Sequence, residues 1–190
     1  MKRVRIRLIA FVLLLPLLAA SFVAAPARAA SGDTGFPNLE LPANPDAVRD
    51  FGLAADATSF HLSDIPAEVV VLELSSYFCG PCHEEAPKLA RLQELLVLRG
   101  LSKRVKLVGV ALGDNAELAG RFSAKYAFTH PYLPDPDMHV LAQLGNLPVP
   151  TLFVVRLGEP NRLVFRQIGL FEETPERMLD LILKAADIST

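Results

Sequence analysis

The sequence predicts an α/β fold in which helices cover both faces of a mixed central sheet. Apolar segments typical of buried strands alternate with segments of helical periodicity, in the order β-α-β-α, an inserted piece, then β-β-α. Residues 158–161 separate the last two strands and have the length and composition of a hairpin loop. Without the N-terminal leader, about 160 residues remain, which is enough for one domain with a hydrophobic core.

The leader has the three-part plan of a secretory signal peptide. Residues 1–7 carry four basic side chains, residues 8–25 are apolar, and Ala27-Arg28-Ala29 fits a small-x-small cleavage site. We therefore expect residues 1–29 to be a signal peptide cleaved after Ala29, which places the protein in the periplasm or an equivalent exported compartment. The alternative is an uncleaved segment that anchors the protein to the membrane.

The charge that remains after cleavage argues against a nucleic-acid partner. Cleavage removes five basic residues and leaves 14 Lys and Arg against 21 Asp and Glu, a net charge of −7. The sequence also contains no basic stripe of the kind that binds phosphate backbones. We expect contact with a membrane only if the N-terminal segment stays uncleaved.

The remaining chain divides into a lead-in and a domain. Residues 30–58 begin with many Pro, Gly, Asn and Asp residues and are expected to be an irregular lead-in, with the domain over residues 59–190. The patterns predict strands at 59–62, 69–75, 105–111, 151–156 and 163–168, with a further short one within 129–136. They predict helices at 82–99, from Asp114 or Asn115 to about 126, at 137–144 and at 175–186.

The two cysteines of the chain lie at the junction of the first buried strand and the longest helix. Cys79 is placed at the helix N-terminus and Cys82 one turn further on. Exposed backbone N–H groups at a helix N-terminus favour a thiolate and lower a cysteine pKa. A structural disulfide across a two-residue gap would add little stability, because it closes so short a loop. The spacing therefore favours a catalytic pair.

With these residues in view, the region from about residue 60 to 186 resembles the thioredoxin-fold thiol–disulfide oxidoreductases, and within them the exported TlpA/ResA-type branch. Cys79-Gly80-Pro81-Cys82 matches the thioredoxin active-site tetrapeptide. Pro87 stands where the family has its helix-kinking proline, and Val149-Pro150-Thr151 is similar to its cis-proline segment. Residues 107–112 and 133–137 resemble the insertion of that branch. The resemblance implies a thioredoxin-like fold with this insertion.

The resemblance also implies roles for the site residues. Cys79 would be the nucleophile, Cys82 the resolving thiol, and the two would form a disulfide. Glu73, in the middle of a buried strand, would have a raised pKa and exchange a proton with Cys82 through water. A cis Pro150 would hold the Val149 backbone beside the sulfurs, where a substrate strand could pair. Val149, Thr151, Gly80 and Pro81 are the expected substrate-contacting residues.

The expected function is therefore an exported protein-disulfide reductase that needs no cofactor beyond its redox-active disulfide and no metal. Its partners would be protein thiols and disulfides, together with a thiol protein that donates or accepts electrons, in a setting such as cytochrome c biogenesis. Two features differ from the reductants of the family. Phe78 replaces the usual tryptophan, and Tyr77-Phe78 and Val149 resemble the oxidant DsbA. The direction of electron flow stays open at this point.

Three other functions fit part of the pattern. Cys79 to His83 reads as C-x-x-C-H, the attachment motif for c-type haem, with Met138 or Met178 as a second axial ligand. A copper chaperone on the same fold would hold Cu(I) with both thiolates and His130 or His139. A peroxiredoxin-like peroxidase is suggested by Ser76-x-x-Cys79, although Leu72 occupies the position where that motif has proline.

Overall fold

A computed structural model describes residues 34–189 and confirms the predicted α/β fold. The central sheet has six strands in the order β1-β8-β7-β4-β5-β6. The pairs β4–β5 and β5–β6 are parallel, whereas β7 pairs antiparallel with both β4 and β8. The strands are β1 (Thr34–Gly35), β2 (Glu40–Pro42), β3 (Ser59–His61), β4 (Val69–Ser75), β5 (Val105–Leu112), β6 (Tyr132–Asp135), β7 (Thr151–Arg156) and β8 (Arg162–Ile168). The helices are α1 (Pro45–Phe51), α2 (Gly80–Leu98), α3 (Ala116–Lys125), α4 (His139–Leu144) and α5 (Pro175–Ala185).

The helix boundaries follow from capping residues in the sequence. The side chains of Asn44, Asn115 and Thr174 each accept a hydrogen bond from a backbone N–H in the first turn of α1, α3 and α5. Helices α1 and α5 also have proline at the start, where its missing N–H costs nothing. Pro87 lies inside α2, as predicted. Capping residues in the sequence thus specify where α1, α3 and α5 begin.

Two layers of apolar side chains bury the sheet. Every residue of β4 is buried, and alternate residues point to opposite faces. Val69 and Val71 pack with α2 and α5, whereas Val70 and Leu72 pack with α1 and α4. Strand β4 is therefore the centre of the domain, and the loop after it is held by the core below.

The lead-in does not follow the prediction. Residues 34–51, expected to be irregular, form β1, β2 and α1. Phe36, Leu39 and Leu41 are buried against the sheet, so apolar burial overrides the local Pro and Gly content. Strand β1 pairs with β8 in the central sheet, and β3 pairs with β2 in a separate two-stranded sheet.

The predicted signal peptide, residues 1–29, lies outside the described residues. Within residues 34–189, none of the helices has the length and apolar character needed to span a membrane.

Candidate active site

The two cysteines lie at the junction between β4 and α2. They form a disulfide with an S–S distance of 2.09 Å and a Cα–Cα distance of 5.2 Å, as expected from the resemblance. Cys79 caps the helix, and its Sγ accepts a hydrogen bond from the Cys82 N–H at 3.1 Å. Cys79 is partly exposed, whereas Cys82 is 1% exposed. A partly exposed cysteine at a helix N-terminus is therefore paired with a buried one.

The segment before β7 approaches the exposed sulfur. The Val149–Pro150 peptide is cis, which confirms that structural expectation. The Val149 carbonyl oxygen lies 3.7 Å from Cys79 Sγ, and Thr151 begins β7 beside the end of β4. Gly80 and Pro81 are exposed in the first turn of α2. The structure thus brings the predicted contact residues around Cys79, although Thr151 itself is buried.

Phe78 adds an exposed apolar side chain to the surroundings of Cys79. Its side chain is 78% exposed immediately before Cys79, and its ring contacts Tyr77 edge-on at 5.3 Å between centroids. An aromatic ring this exposed gains little from the core, so it is available to contact another molecule.

Glu73 is buried on the β4 face that α2 covers, at 2% exposure. Burial raises its pKa from 4.5 to about 8, repulsion by Glu85 adds to the effect, and a hydrogen bond with Ser75 opposes it. The Glu73 Oε2 atom finds no hydrogen-bond partner among the described residues. The expected burial of Glu73 is confirmed.

Glu85 is a second buried acid, which the sequence analysis did not single out. It lies on α2 three residues after Cys82 and is 0% exposed. Burial raises its pKa to about 7, while the Phe171 N–H, 3.3 Å from Oε1, and the charge of Lys88 act in the opposite direction. Glu85 follows Cys82 by three residues and therefore lies on the same buried face of α2. This helical spacing was the signal in the sequence that could have identified it.

Two further residues fix the loop before Cys79. The Tyr77 N–H donates to Asp114 Oδ2 at 2.6 Å, and the Tyr77 carbonyl accepts from His83 Nε2 at 2.8 Å. His83 Nδ1 in turn lies 2.7 Å from the Tyr126 hydroxyl. Asn115, not Asp114, caps α3, which frees Asp114 for Tyr77. Both sides of the Tyr77 backbone are therefore held by side chains.

The residues considered as haem or copper ligands lie in different parts of the fold. Both ring nitrogens of His83 are hydrogen-bonded, and Met178 is buried in the core on α5. His130 is buried with its ring 4.5 Å from that of Phe128, and burial lowers its pKa to about 3. His139 is exposed. Across residues 34–189, no three His, Cys, Asp or Glu side chains are grouped as metal ligands.

The residues of the peroxidase motif also have structural positions. Ser76 Oγ donates to Asp114 Oδ1 at 3.4 Å and helps to hold the loop before Cys79. Leu72 is buried in the middle of β4, where it packs with the α1 side of the core.

An accessible sulfur and a buried sulfur, joined at a helix N-terminus next to a cis-proline segment, can exchange a disulfide with another molecule. The fold and the site together define the class of the protein, a thiol–disulfide oxidoreductase of the thioredoxin fold. The chain belongs to the AhpC/TSA family, whose model matches residues 36–159.

Similar proteins carry related names. The thiol-disulfide oxidoreductase ResA of Halalkalibacterium halodurans is 23% identical over 128 residues, 67% of this chain and 69% of that protein. The ResA of Oceanobacillus iheyensis is 29% identical over 126 residues, which span 63% of each chain. A crystal structure of a putative thiol:disulfide interchange protein DsbE from Chlorobium tepidum matches with a TM-score of 0.60 at 22% identity, covering 83% of this chain and 98% of that one. A secreted disulfide oxidoreductase of Mycobacterium tuberculosis, homologous to E. coli DsbE, matches with a TM-score of 0.53 at 18% identity, over 67% of this chain and 90% of that one.

Proposed function

We propose that this protein is an exported protein-disulfide reductase in which Cys79 attacks and Cys82 resolves. The observation that carries this proposal is the difference in access between two sulfurs that share one helix start. Cys79 is partly exposed, and its Sγ accepts a hydrogen bond from the Cys82 N–H, a contact that would stabilise a thiolate in the reduced protein. Cys82 is covered by the core and would react only with a sulfur already bound to Cys79.

The proposed reaction has two exchange steps. In the reduced protein, the Cys79 thiolate attacks one sulfur of a partner disulfide, forming a mixed disulfide and releasing the other partner sulfur as a thiolate. Cys82 then loses its proton and attacks Cys79 Sγ. This step forms the Cys79–Cys82 disulfide and releases the second partner sulfur as a thiolate. The partner gains two electrons, and a thiol protein must reduce the pair again.

Glu73 is the proposed proton acceptor for Cys82. A carboxyl with a pKa of about 8 is close to the usual pKa of a thiol, about 8.5, so a proton can pass in either direction. A bridging water is the proposed route between them. Glu85 contributes a second acid on the same side of the sheet, and its charge raises the pKa of Glu73.

The buried acids also support the direction of electron flow. The reduced pair carries a thiolate, whereas the disulfide carries no charge. Once the pH approaches the pKa of Glu85, about 7, or that of Glu73, about 8, negative charge on these acids disfavours the reduced form relative to the disulfide, which lowers the reduction potential. A pair with a low potential gives its electrons to partner disulfides, which is the behaviour of a reductase.

On the partner side, Val149 would offer backbone groups to an extended substrate segment, with Pro150 keeping the Val149 carbonyl beside Cys79. Thr151, also expected to contact substrate, is buried between β4 and β8 and would act only by fixing the start of β7. Gly80 and Pro81 leave the first turn of α2 open to that segment.

Export of the protein is proposed from the leader, with cleavage after Ala29. The domain is taken to begin near residue 36, where the family match starts, rather than at 59. Cytochrome c biogenesis is the proposed setting, since a reductase in an oxidising compartment has use for keeping specific thiols reduced. N-terminal sequencing of the mature protein from its host should read from Ala30.

The reduction potential of the Cys79–Cys82 pair tests the proposal. Equilibration of the purified protein with defined ratios of reduced and oxidised glutathione or dithiothreitol, followed by alkylation and mass spectrometry, gives the value. We expect it near that of thioredoxin, about −270 mV, so that reduced protein is stable only with a strong donor. A value near that of DsbA, about −120 mV, would make the protein an oxidant and overturn the proposed direction.

A further inference from the structure

Three strands place one glutamate, one glycine and one tyrosine in a row across the central sheet. Glu73 on β4 is the register partner of Gly109 on β5, and Gly109 is the register partner of Tyr132 on β6. Neighbouring register partners project from the same face of a sheet. Because Gly109 has no side chain, nothing from β5 separates the tyrosine from the glutamate on that face.

The Tyr132 ring fills the space that Gly109 leaves. A Cβ at position 109 would overlap the Tyr132 ring and come within 3.2 Å of Glu73 Oε2. On its other side the ring stacks on Phe122, with 5.2 Å between centroids and 12° between planes. The ring also belongs to the apolar cluster that contains Cys82. The Tyr132 ring is thus held between Glu73 and the apolar cluster that contains Cys82.

The hydroxyl of this tyrosine reaches the next polar group on β4. Tyr132 Oη lies 2.7 Å from Ser75 Oγ, and both residues are buried, at 3% and 0% exposure. Ser75 is two residues beyond Glu73 and therefore on the same face of the strand. We propose that Tyr132 is a positioning residue for Glu73, acting through Ser75, and that Gly109 provides the gap its ring requires.

Hydroxyl chemistry explains how such a chain serves both protonation states of Glu73. When the carboxyl is ionised, Ser75 donates to it and accepts from the Tyr132 hydroxyl. When the carboxyl is protonated, its O–H can donate to Ser75, which then donates to the tyrosine oxygen. The Ser75 hydrogen bond lowers the pKa of Glu73 against the larger effect of burial, in agreement with this arrangement.

The other groups around Glu73 are few. Helix α2 brings Glu85 and Cys82 to this side of the sheet, and β7 contributes Leu152 as the other register partner of Glu73. Burial raises the pKa of Tyr132 most, the negative charges of Glu73 and Asp114 raise it further, and the hydrogen bond with Ser75 lowers it. Any effect of Tyr132 on disulfide exchange rests on the proposed function, whereas its effect on the titration of the Glu73 carboxyl does not.

The test is a titration of Glu73 in the oxidised protein. The carboxyl carbon of Glu73 is followed by NMR between pH 5 and 10 in protein with ¹³C-labelled glutamate, its signal being identified by its loss in Glu73→Gln. Tyr132→Phe removes the hydroxyl and keeps the ring. Because Tyr132 donates to Ser75, its loss should weaken the bond from Ser75 to the ionised carboxyl and raise the pKa of Glu73 by about 0.5–1 unit. Ser75→Ala, which removes the middle of the chain, should raise it at least as much.

Tyr126→Phe is the matched control, because it deletes a hydroxyl from the same aromatic cluster but one that is bonded to His83. It should leave the Glu73 titration unchanged. An unchanged titration in Tyr132→Phe, or equal shifts in both Phe variants, would overturn the proposal. Disulfide exchange by the parent is measured separately: its absence would overturn the proposed function and leave the titration result standing.

Discussion

The two sulfurs of one disulfide occupy opposite environments. Cys79 lies on a rim, which we define as Phe78, Cys79, Val149 and Pro150. Cys79 is partly exposed there, and its Sγ contacts the Val149 carbonyl and the Cys82 N–H. Cys82 lies above a floor, defined as Glu73, Glu85, Ser75 and Tyr132, all of them buried. The rim offers access and hydrogen bonds to a thiolate, whereas the floor offers acids that are buried. Two identical side chains thereby receive different chemistry from their surroundings.

The largest expected effect comes from removing one sulfur at a time. Cys82→Ser keeps the attacking thiol on the rim and removes the resolving one, so mixed disulfides with partner proteins should accumulate in the host. Cys79→Ser should trap little, because Cys82 is covered. Non-reducing gels and mass spectrometry of the trapped bands give the measurement. Equal trapping by both variants would show that rim and floor do not divide the roles.

The next effect concerns the floor acid. Glu73→Gln keeps the size of the side chain but cannot accept a proton, and it should slow the second exchange step about 100-fold while leaving the first nearly unchanged. Single-turnover kinetics with a small disulfide between pH 5 and 9 resolve the two steps. Glu84→Gln, which changes an exposed glutamate on α2, is the control. A parent-like rate profile in Glu73→Gln would remove this acid from the mechanism.

A smaller effect should appear in stability. The pKa of Glu73 is raised from 4.5 to about 8, and that of Glu85 from 4.5 to about 7. From pH 4.5 up to these raised values, the folded chain therefore holds more protons than the unfolded chain. Stability contributed by the protonated acids is therefore present at low pH and lost as pH rises through 7 and 8. The advantage of Glu73→Gln over the parent should grow between pH 5 and 8, reaching a few kcal/mol. Urea unfolding of the oxidised proteins measures it, and a gap that is constant with pH would contradict the buried titration.

Much of this site follows from local sequence. The apolar run of β4, the cysteine spacing and the capping residues specify strand, turn and helix without reference to distant parts of the chain. For the same reason, the positions of Cys79, Cys82 and Glu73 could be predicted. The cis-proline segment was found through its resemblance to a family, because its approach to Cys79 joins residues 70 positions apart.

Other features depend on tertiary register and could not be read from the sequence. Gly109 and Tyr132 meet Glu73 only because β4, β5 and β6 align in one particular register. The order of β1, β2 and α1 was missed because apolar residues in a Pro-rich segment gain their burial from a sheet built by later strands. The sequence left Asp114 and Asn115 as alternative helix caps, and only the fold shows that Asn115 is the cap and that Asp114 accepts a hydrogen bond from the Tyr77 backbone.

The most direct measurement of the division between rim and floor is the alkylation rate of each cysteine in the reduced protein. Short iodoacetamide pulses between pH 5 and 10, quantified by peptide mass spectrometry, give a rate and an apparent pKa for each thiol. Cys79 should react faster at every pH and titrate below the ordinary thiol value of about 8.5, with Cys82 slower and titrating above it. Equal rates and a shared pKa for the two thiols would contradict the account.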